Sequence, residues 1–297
     1  MVWRQDRDHR FTYISPADER LRGFRADEVI GKHAFELMTD EGIALVAEIT
    51  QRLKTSPSND NPQGVTLEAQ QRCKDGSLVW TEIVWVRELN GQGEVIGHHG
   101  ISRDITERKR MQDEVRHLAY FDPLTQLPNR RMLNDRLNQT MATSKRSGRF
   151  GALMILDLDN FKPLNDQHGH LVGDLLLVEV AHRLLACVRE MDTVARFGGD
   201  EFVVMLGELD EDKAESHRQA LVVAEKIRQA LAAPYVLRVS QENQAPSTVE
   251  HHCTASIGVV LFINHDVTPE NIIQWADATM YQAKDAGRNV IRFHVAG

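Results

Sequence analysis

The chain has 297 residues, 42% hydrophobic and 26% charged, enough for about two domains of roughly 100–200 residues each. A formal net charge of −8 excludes the basic surface that non-specific nucleic-acid binding needs, so a nucleotide site must be locally basic. No apolar run approaches the ~20 residues of a membrane helix, the opening Met1 to Arg10 lacks the apolar core of a signal peptide, and Cys73, Cys187 and Cys253 are scattered without metal-ligand spacing. These features predict a cytoplasmic protein with reduced thiols and no membrane contact of its own. A start so close to strand-like sequence leaves room for a longer or membrane-tethered parent.

Residues 1–105 read as one α+β unit. Phe11-Thr-Tyr-Ile-Ser-Pro-Ala predicts a short strand and stop, and Gly23 to Gly31 a short helix between turn residues. Val65 to Val86 and Val95 to Ser102 predict strands, separated by turns at Lys74-Asp-Gly-Ser and Asn90-Gly-Gln-Gly. The Ser-Pro-Ala and Gly-Phe…Glu-Val-Ile-Gly region, the Lys74-Asp-Gly-Ser-Leu-Val-Trp-Thr-Glu hairpin and the exit Gly100-Ile-Ser-Arg-Asp-Ile-Thr-Glu-Arg-Lys-Arg110 resemble a PAS sensor domain. The pattern departs at Ser15, where that family more often has Asn. The resemblance implies a pocket that holds haem, flavin or a metabolite, or stays empty; the ligand is unknown. The flavin-linking cysteine motif of light sensors is not visible. His33, His98 and His99 are candidate haem ligands, against the commoner reading of surface or satisfied structural histidines. Trp80 and Trp85 are expected to pack in the core.

Residues 106–120 form a helical linker. Asp104-Ile-Thr-Glu107 has the spacing of a helix cap followed by an acid, and Met111, Val115 and Leu118 recur at coiled-coil spacing with charges on the other faces. This predicts either a parallel dimer stalk or a simple amphipathic connection.

Residues 121–297 carry the chemistry. Phe150-Gly-Ala-Leu-Met-Ile-Leu-Asp157-Leu-Asp159 reads as a strand buried on both faces that ends in carboxylates, and Thr193 to Leu206 as a hairpin turning at Gly198-Gly199 beside Asp200 and Glu201. Carboxylates converging from neighbouring strands make a hard oxygen site for Mg²⁺ or Mn²⁺, able to hold nucleotide phosphates. The glycines let phosphates approach the backbone. Leu177, Val180, Leu184 and Val188 mark the core face of a helix after Asp174.

Arg196-Phe-Gly-Gly-Asp-Glu-Phe202 resembles the signature loop of the GGDEF family, the bacterial diguanylate cyclases. The likeness extends to Asp122-Pro-Leu-Thr-Gln-Leu-Pro-Asn-Arg130, to the segment Asp157 to Asp174, and to Tyr281-Gln-Ala-Lys-Asp-Ala-Gly-Arg-Asn289, covering about 117–295. It implies a βαββαβ palm-like domain after the PAS fold. It also implies a homodimer, joined through linker and PAS domain, that condenses two GTP into cyclic di-GMP with release of two pyrophosphates. Asp157, Glu201, Asp200 and the Leu158 carbonyl would ligate the metal, with Asp200 alternatively drawing the 3′-proton; the roles of 200 and 201 stay open. Asn165 and Asp174 would read guanine, with His170 in the same segment. Phe161, Lys162, Gly198, Gly199, Lys284 and Arg288 would lie toward the phosphates. Arg189 and Asp192 resemble the RxxD site at which product inhibits. Gln126 stands where Gly is commoner, Pro163 follows the lysine, and His168 replaces a usual aromatic. Two other readings remain: a silent receptor for GTP or cyclic di-GMP, and a cyclase of another base preference.

Overall fold

The structure is a computed structural model that describes residues 1–55, 64–239, 247–263 and 267–295. The chain divides into two units, Met1–Val115 and Arg116–Gly297.

A sheet with one face on the core buries every second residue, and the first unit follows that rule. Its strands are β1 (Val2–Asp6), β2 (Phe11–Ile14), β3 (Val65–Arg72), β4 (Leu78–Leu89) and β5 (Val95–Asp104), in the antiparallel order β2-β1-β5-β4-β3. Trp3, Phe11, Ile14, Leu67 and Ile83 form the buried side. Helices α1 (Ala17–Leu21), α2 (Ala26–Val29) and α3 (Asp40–Thr55), with a 3₁₀ turn at Ala34–Leu37, run between β2 and β3. The long helix α3 was not anticipated. The Thr39 hydroxyl accepts from Gly42 N–H at its start, 3.2 Å, and Ile43, Val46 and Ile49 pack on the sheet at helical spacing.

The same alternation corrects two expectations. Trp80 and Trp85 are an odd number of residues apart on β4, so they take opposite faces; Trp85 packs on the core, while Trp80 lies under the Lys109 ammonium at 5.0 Å. His98 and His99 likewise diverge, His98 being buried and His99 exposed. His33 packs edge-on against Phe35 at 4.7 Å. The three histidines therefore do not converge as a haem-ligand set.

In the second unit β6 (Gly151–Asp159) is buried at every position, the expected centre of a two-sided sheet. Its neighbours β8 (Glu201–Leu206) and β11 (Thr254–Phe262) are antiparallel to it, β7 (Thr193–Gly198) lies beyond β8, and β12 (Ile291–Phe293) pairs parallel with β11. Even positions of β6, such as Met154 and Leu156, face α7 (His170–Cys187) and α8 (Lys213–Ala232). Odd positions, Leu153 and Ile155, face α5 (Arg130–Ser147) and α9 (Pro269–Asp285). With α6 (Phe161–His168) the order is the expected βαββαβ. A small hairpin, β9 (Tyr235–Val239) and β10 (Ser247–His251), is additional. The sheet and α9 meet at Gly258, where a Cβ would stand 2.2 Å from the Met280 nitrogen.

The linker is one helix, α4 (Thr106–Tyr120). Asp104 accepts from Thr106 N–H at 2.8 Å at its start. Met111, Val115 and Leu118 are 55%, 66% and 53% exposed, which leaves their apolar line open. All three cysteines are free thiols, Cys187 and Cys253 buried. Among the described residues no helix is long and apolar enough to cross a membrane.

In the first unit the Arg22 guanidinium donates to both Asp18 carboxylate oxygens, at 2.6 and 2.8 Å, and to Gln71 Oε1 at 3.1 Å. Both side chains of the ion pair are 1% exposed. Removing one partner strands a buried charge. Arg22→Ala is therefore expected to cost about 3–5 kcal/mol in urea unfolding followed by tryptophan fluorescence, and the double change Asp18→Leu/Arg22→Met less than either single change.

Candidate functional site

The site begins where β6 ends. The register of β6 and β8 sets Glu201 directly opposite Asp157, as the apolar runs of both strands require if their inward faces are to match. The turn joining β7 to β8 is possible because Gly198 and Gly199 take φ of 143° and 55°, and it carries Asp200 to the same end. The Leu158 N–H donates to the Asp200 carbonyl at 3.3 Å.

Asp157 is 8% exposed. Burial drives its carboxyl upward, the neighbouring Asp200 and Glu201 charges add to that, and Lys284 opposes it; the outcome is about 6. Lys284, on the last turn of α9, places its ammonium 2.8 Å from Asp157 Oδ2. Burial alone would lower the lysine, but its hydrogen bond and attraction to Asp157 outweigh that and hold it above its ordinary value. The carboxylates thus form a site short of positive charge, with an ammonium already drawn to it. Oxygen donors in such a setting fit a hard divalent cation. Among the described residues, however, no three or more His, Cys, Asp or Glu side chains stand together in a metal-holding arrangement.

Beside these groups is a pocket of about 260 Å³ walled by Asp157, Leu158, Phe161, Lys162, Asp200, Lys284 and Arg288, with Asp159, Asn160 and Pro163. Asn160 takes a left-handed φ of 61° to launch α6 and offers that helix no side-chain cap. Arg288 and Asn289 also hold positive φ, 63° and 51°. Seven of the residues singled out in the sequence therefore come together here. Glu201 joins them through its pairing with Asp157. Asn165, Asp174 and His170 lie along α6 and α7, outside that wall. Asn165 Oδ1 is buried without a partner, against Gly173, where a Cβ would come within 1.9 Å of it. Asp174 and His170 are exposed.

Arg189 and Asp192 form the turn before β7. Asp192 Oδ2 accepts from Arg189 N–H at 3.0 Å, and the Asp192 N–H donates to the Arg189 carbonyl at 3.0 Å. The Arg189 side chain is exposed.

Three supporting residues were given no structural role by the sequence reading. Asp159, 3% exposed, accepts from Thr254 Oγ1 at 2.6 Å, Ser256 Oγ at 2.8 Å and Asn289 N–H at 3.1 Å. It ties the segment carrying Arg288 to the sheet. Its place two residues after Asp157, on the same strand face, was the available signal. Arg196 Nη1 donates to both Asp122 oxygens, at 3.1 and 2.9 Å, while Nε and Nη2 donate to the Gly199 carbonyl at 3.1 and 2.8 Å. This braces the tip of the hairpin. Gln126 has φ of 59°, a left-handed conformation that explains a preference for glycine there.

Comparison with known sequences gives two matches: a profile described as "Diguanylate cyclase, GGDEF domain" over residues 119–290 and one described as "PAS fold" over 1–110. The bifunctional diguanylate cyclase/cyclic di-GMP phosphodiesterase MucR of Pseudomonas aeruginosa is 42% identical over 184 residues, 62% of this chain and 25% of MucR. The cyclic di-GMP phosphodiesterase PdeR of Escherichia coli K12 is 30% identical over 272 residues, 91% of this chain and 38% of PdeR. The chain thus spans well under half the length of either relative. The coiled coil and GGDEF domain of DgcB from Caulobacter crescentus, solved with c-di-GMP, superposes with a TM-score of 0.52 at 26% identity, covering 63% of this chain and 92% of that one.

Burial raises the Asp122 carboxyl, but hydrogen bonds from the Thr125 amide and hydroxyl and from Arg196 outweigh it and hold the group below its ordinary value. A depressed value in the folded state stabilises above about pH 4 and is lost as pH falls through it. Asp122→Asn is expected to cost about 1–3 kcal/mol at pH 7, to flatten the loss of stability below pH 4, and to speed amide exchange at Gly198 to Glu201.

Proposed function

Since the chain belongs to the GGDEF diguanylate cyclase family and carries a PAS fold ahead of that domain, we propose that it condenses two GTP into cyclic di-GMP with release of two pyrophosphates. The observation that carries this reading is the carboxylate end of the sheet. Glu201 faces Asp157 across two paired strands, and the burial and mutual repulsion that raise Asp157 are the cost of a site made for cations and phosphates.

In the reaction the 3′-hydroxyl of each nucleotide attacks the α-phosphorus of the other, a P–O bond forms, the bond to pyrophosphate breaks, and the hydroxyl proton passes to Asp200 or to solvent. Asp157, Glu201, Asp200 and the Leu158 carbonyl would hold Mg²⁺ or Mn²⁺, which when bound neutralises the phosphates and steadies the leaving pyrophosphate. The chain's own part is placement. The amides at Phe161 and Lys162, with the Lys162 ammonium, cradle the triphosphate. Lys284, beside Asp157, and Arg288, from the loop fixed by Asp159, would bring positive charge to the phosphates. Gly198 and Gly199 let the chain approach without Cβ atoms. Asn165 and Asp174 select guanine, the aspartate accepting from N1–H and the exocyclic amine, with His170 on the same side.

Each domain holds one nucleotide, so two copies must face each other. The open line Met111, Val115 and Leu118 on α4 supports a parallel pair joined there and through the PAS domains, with the PAS unit regulating its activity. The exposed arginine and turn-forming aspartate at 189 and 192 support product inhibition.

Purified chain with GTP and Mg²⁺ is expected to yield cyclic di-GMP and pyrophosphate, chelation to stop this, and Glu201→Ala to lower the rate at least about a hundredfold. Bound GTP without product at any protein concentration would overturn the cyclase reading in favour of a receptor. Added cyclic di-GMP is expected to inhibit the wild type, and Arg189→Ala to relieve that inhibition with the uninhibited rate unchanged.

A further inference from the structure

The loop that follows α9 is held in an uncommon shape. Gly287, Arg288 and Asn289 take φ of 110°, 63° and 51° in succession, and for the two residues that carry a Cβ this left-handed region is sparsely populated. Such a loop keeps one form only where its surroundings impose it. Two side chains from different elements do so. Asp159, at the end of β6, accepts from Asn289 N–H at 3.1 Å. From α8, Arg228 Nη1 donates to Asn289 Oδ1 at 2.9 Å.

Arg228 reaches that oxygen with its own orientation fixed. Its Nε and Nη2 donate to the two Glu225 carboxylate oxygens at 2.9 and 2.7 Å. One rigid guanidinium plane therefore spans an acid one turn back along α8 and the loop beyond α9. The residue it grips stands next to Arg288, which lies with Lys284 on the wall of the pocket of about 260 Å³. Arg228 and Asn289 are not on that wall. The Arg288 side chain is exposed, and among the described residues no carboxylate pairs with it. Where its charge points is thus decided by the backbone beneath it.

We propose that Arg228 is a positioning residue for the nucleotide site: through Asn289 it holds the left-handed loop in the form that directs the Arg288 charge into the phosphate pocket. The inference rests on the nucleotide reading above and adds to it a residue from outside the pocket and outside the motif segments that carry the family likeness. Without Arg228 the Asn289 amide stays on Asp159, so the loop loosens and the sheet beneath it keeps its pairing. The loss falls on the phosphates. The base side of the site, on α6 and α7, has no contact with this network and is left as it was.

Two ligands separate a positioning role from a general loss of structure. 3′-Deoxy-GTP carries the triphosphate but lacks the attacking hydroxyl, and guanosine carries the base without phosphate. Their binding to the full chain with Mg²⁺ is read by ligand-observed NMR, and urea unfolding shows that each variant is folded. Arg228→Ala is expected to weaken 3′-deoxy-GTP about tenfold, to leave guanosine within about twofold, and to speed amide exchange at Arg288 and Asn289. Asn289→Gly suits the left-handed φ and keeps the amide on Asp159, removing only the oxygen that Arg228 holds. It is expected to give the same loss, and the double variant no more than either single change. Unchanged 3′-deoxy-GTP affinity in Arg228→Ala, an equal loss for guanosine, or additive losses in the double variant would overturn the assignment. A wild type that binds 3′-deoxy-GTP but forms no cyclic di-GMP from GTP would instead overturn the cyclase reading, with the positioning role still decided by the binding pattern.

Discussion

The second unit depends on one constraint: three carboxylates are held at the end of a sheet that is buried on both sides. Burial and repulsion make Asp157 reluctant to ionise and lift it to about 6, yet the strand pairing that fills the core leaves Glu201 no other place than opposite it. Packing energy from the apolar runs of β6 and β8 holds together charges that would separate in solution. Lys284 relieves part of that cost at 2.8 Å, as an internal counter-ion.

Neighbouring acids do different work because their surroundings differ. Asp159 lies two residues from Asp157 but has three donors on it, which commits it to fixing the loop of Arg288 and Asn289. Asp122 is committed to Arg196, and Arg196 in turn to the Gly199 carbonyl. The carboxylate end of the sheet is thereby bounded by two hydrogen-bond networks, one of which, through Arg196, braces the glycine-containing turn.

The first unit solves a different problem. Its sheet needs only one core face, and the alternation along β4 and β5 decides which rings enter that core. The inner side receives Trp85 and His98, while Trp80 and His99 go outside. Asp18 and Arg22 enter that interior only as a mutually paired couple.

The sequence by itself determined the apolar runs that became β6 and β8, the positive-φ turn at Gly198 and Gly199, the βαββαβ order and the likeness to both families. These rest on adjacent residues and short periods, which local sterics and burial fix. Only the tertiary structure decided that Lys284 sits on Asp157, that Arg196 is locked to Asp122, and that Asn165 lies against Gly173. The partners of the first two pairs are far apart in the chain. It also separated His98 from His99 and Trp85 from Trp80, and revealed helix α3 and the β9–β10 hairpin. Contacts of that kind follow from strand register and helix placement, which arise from the packing of the whole core and are carried by no single stretch of residues.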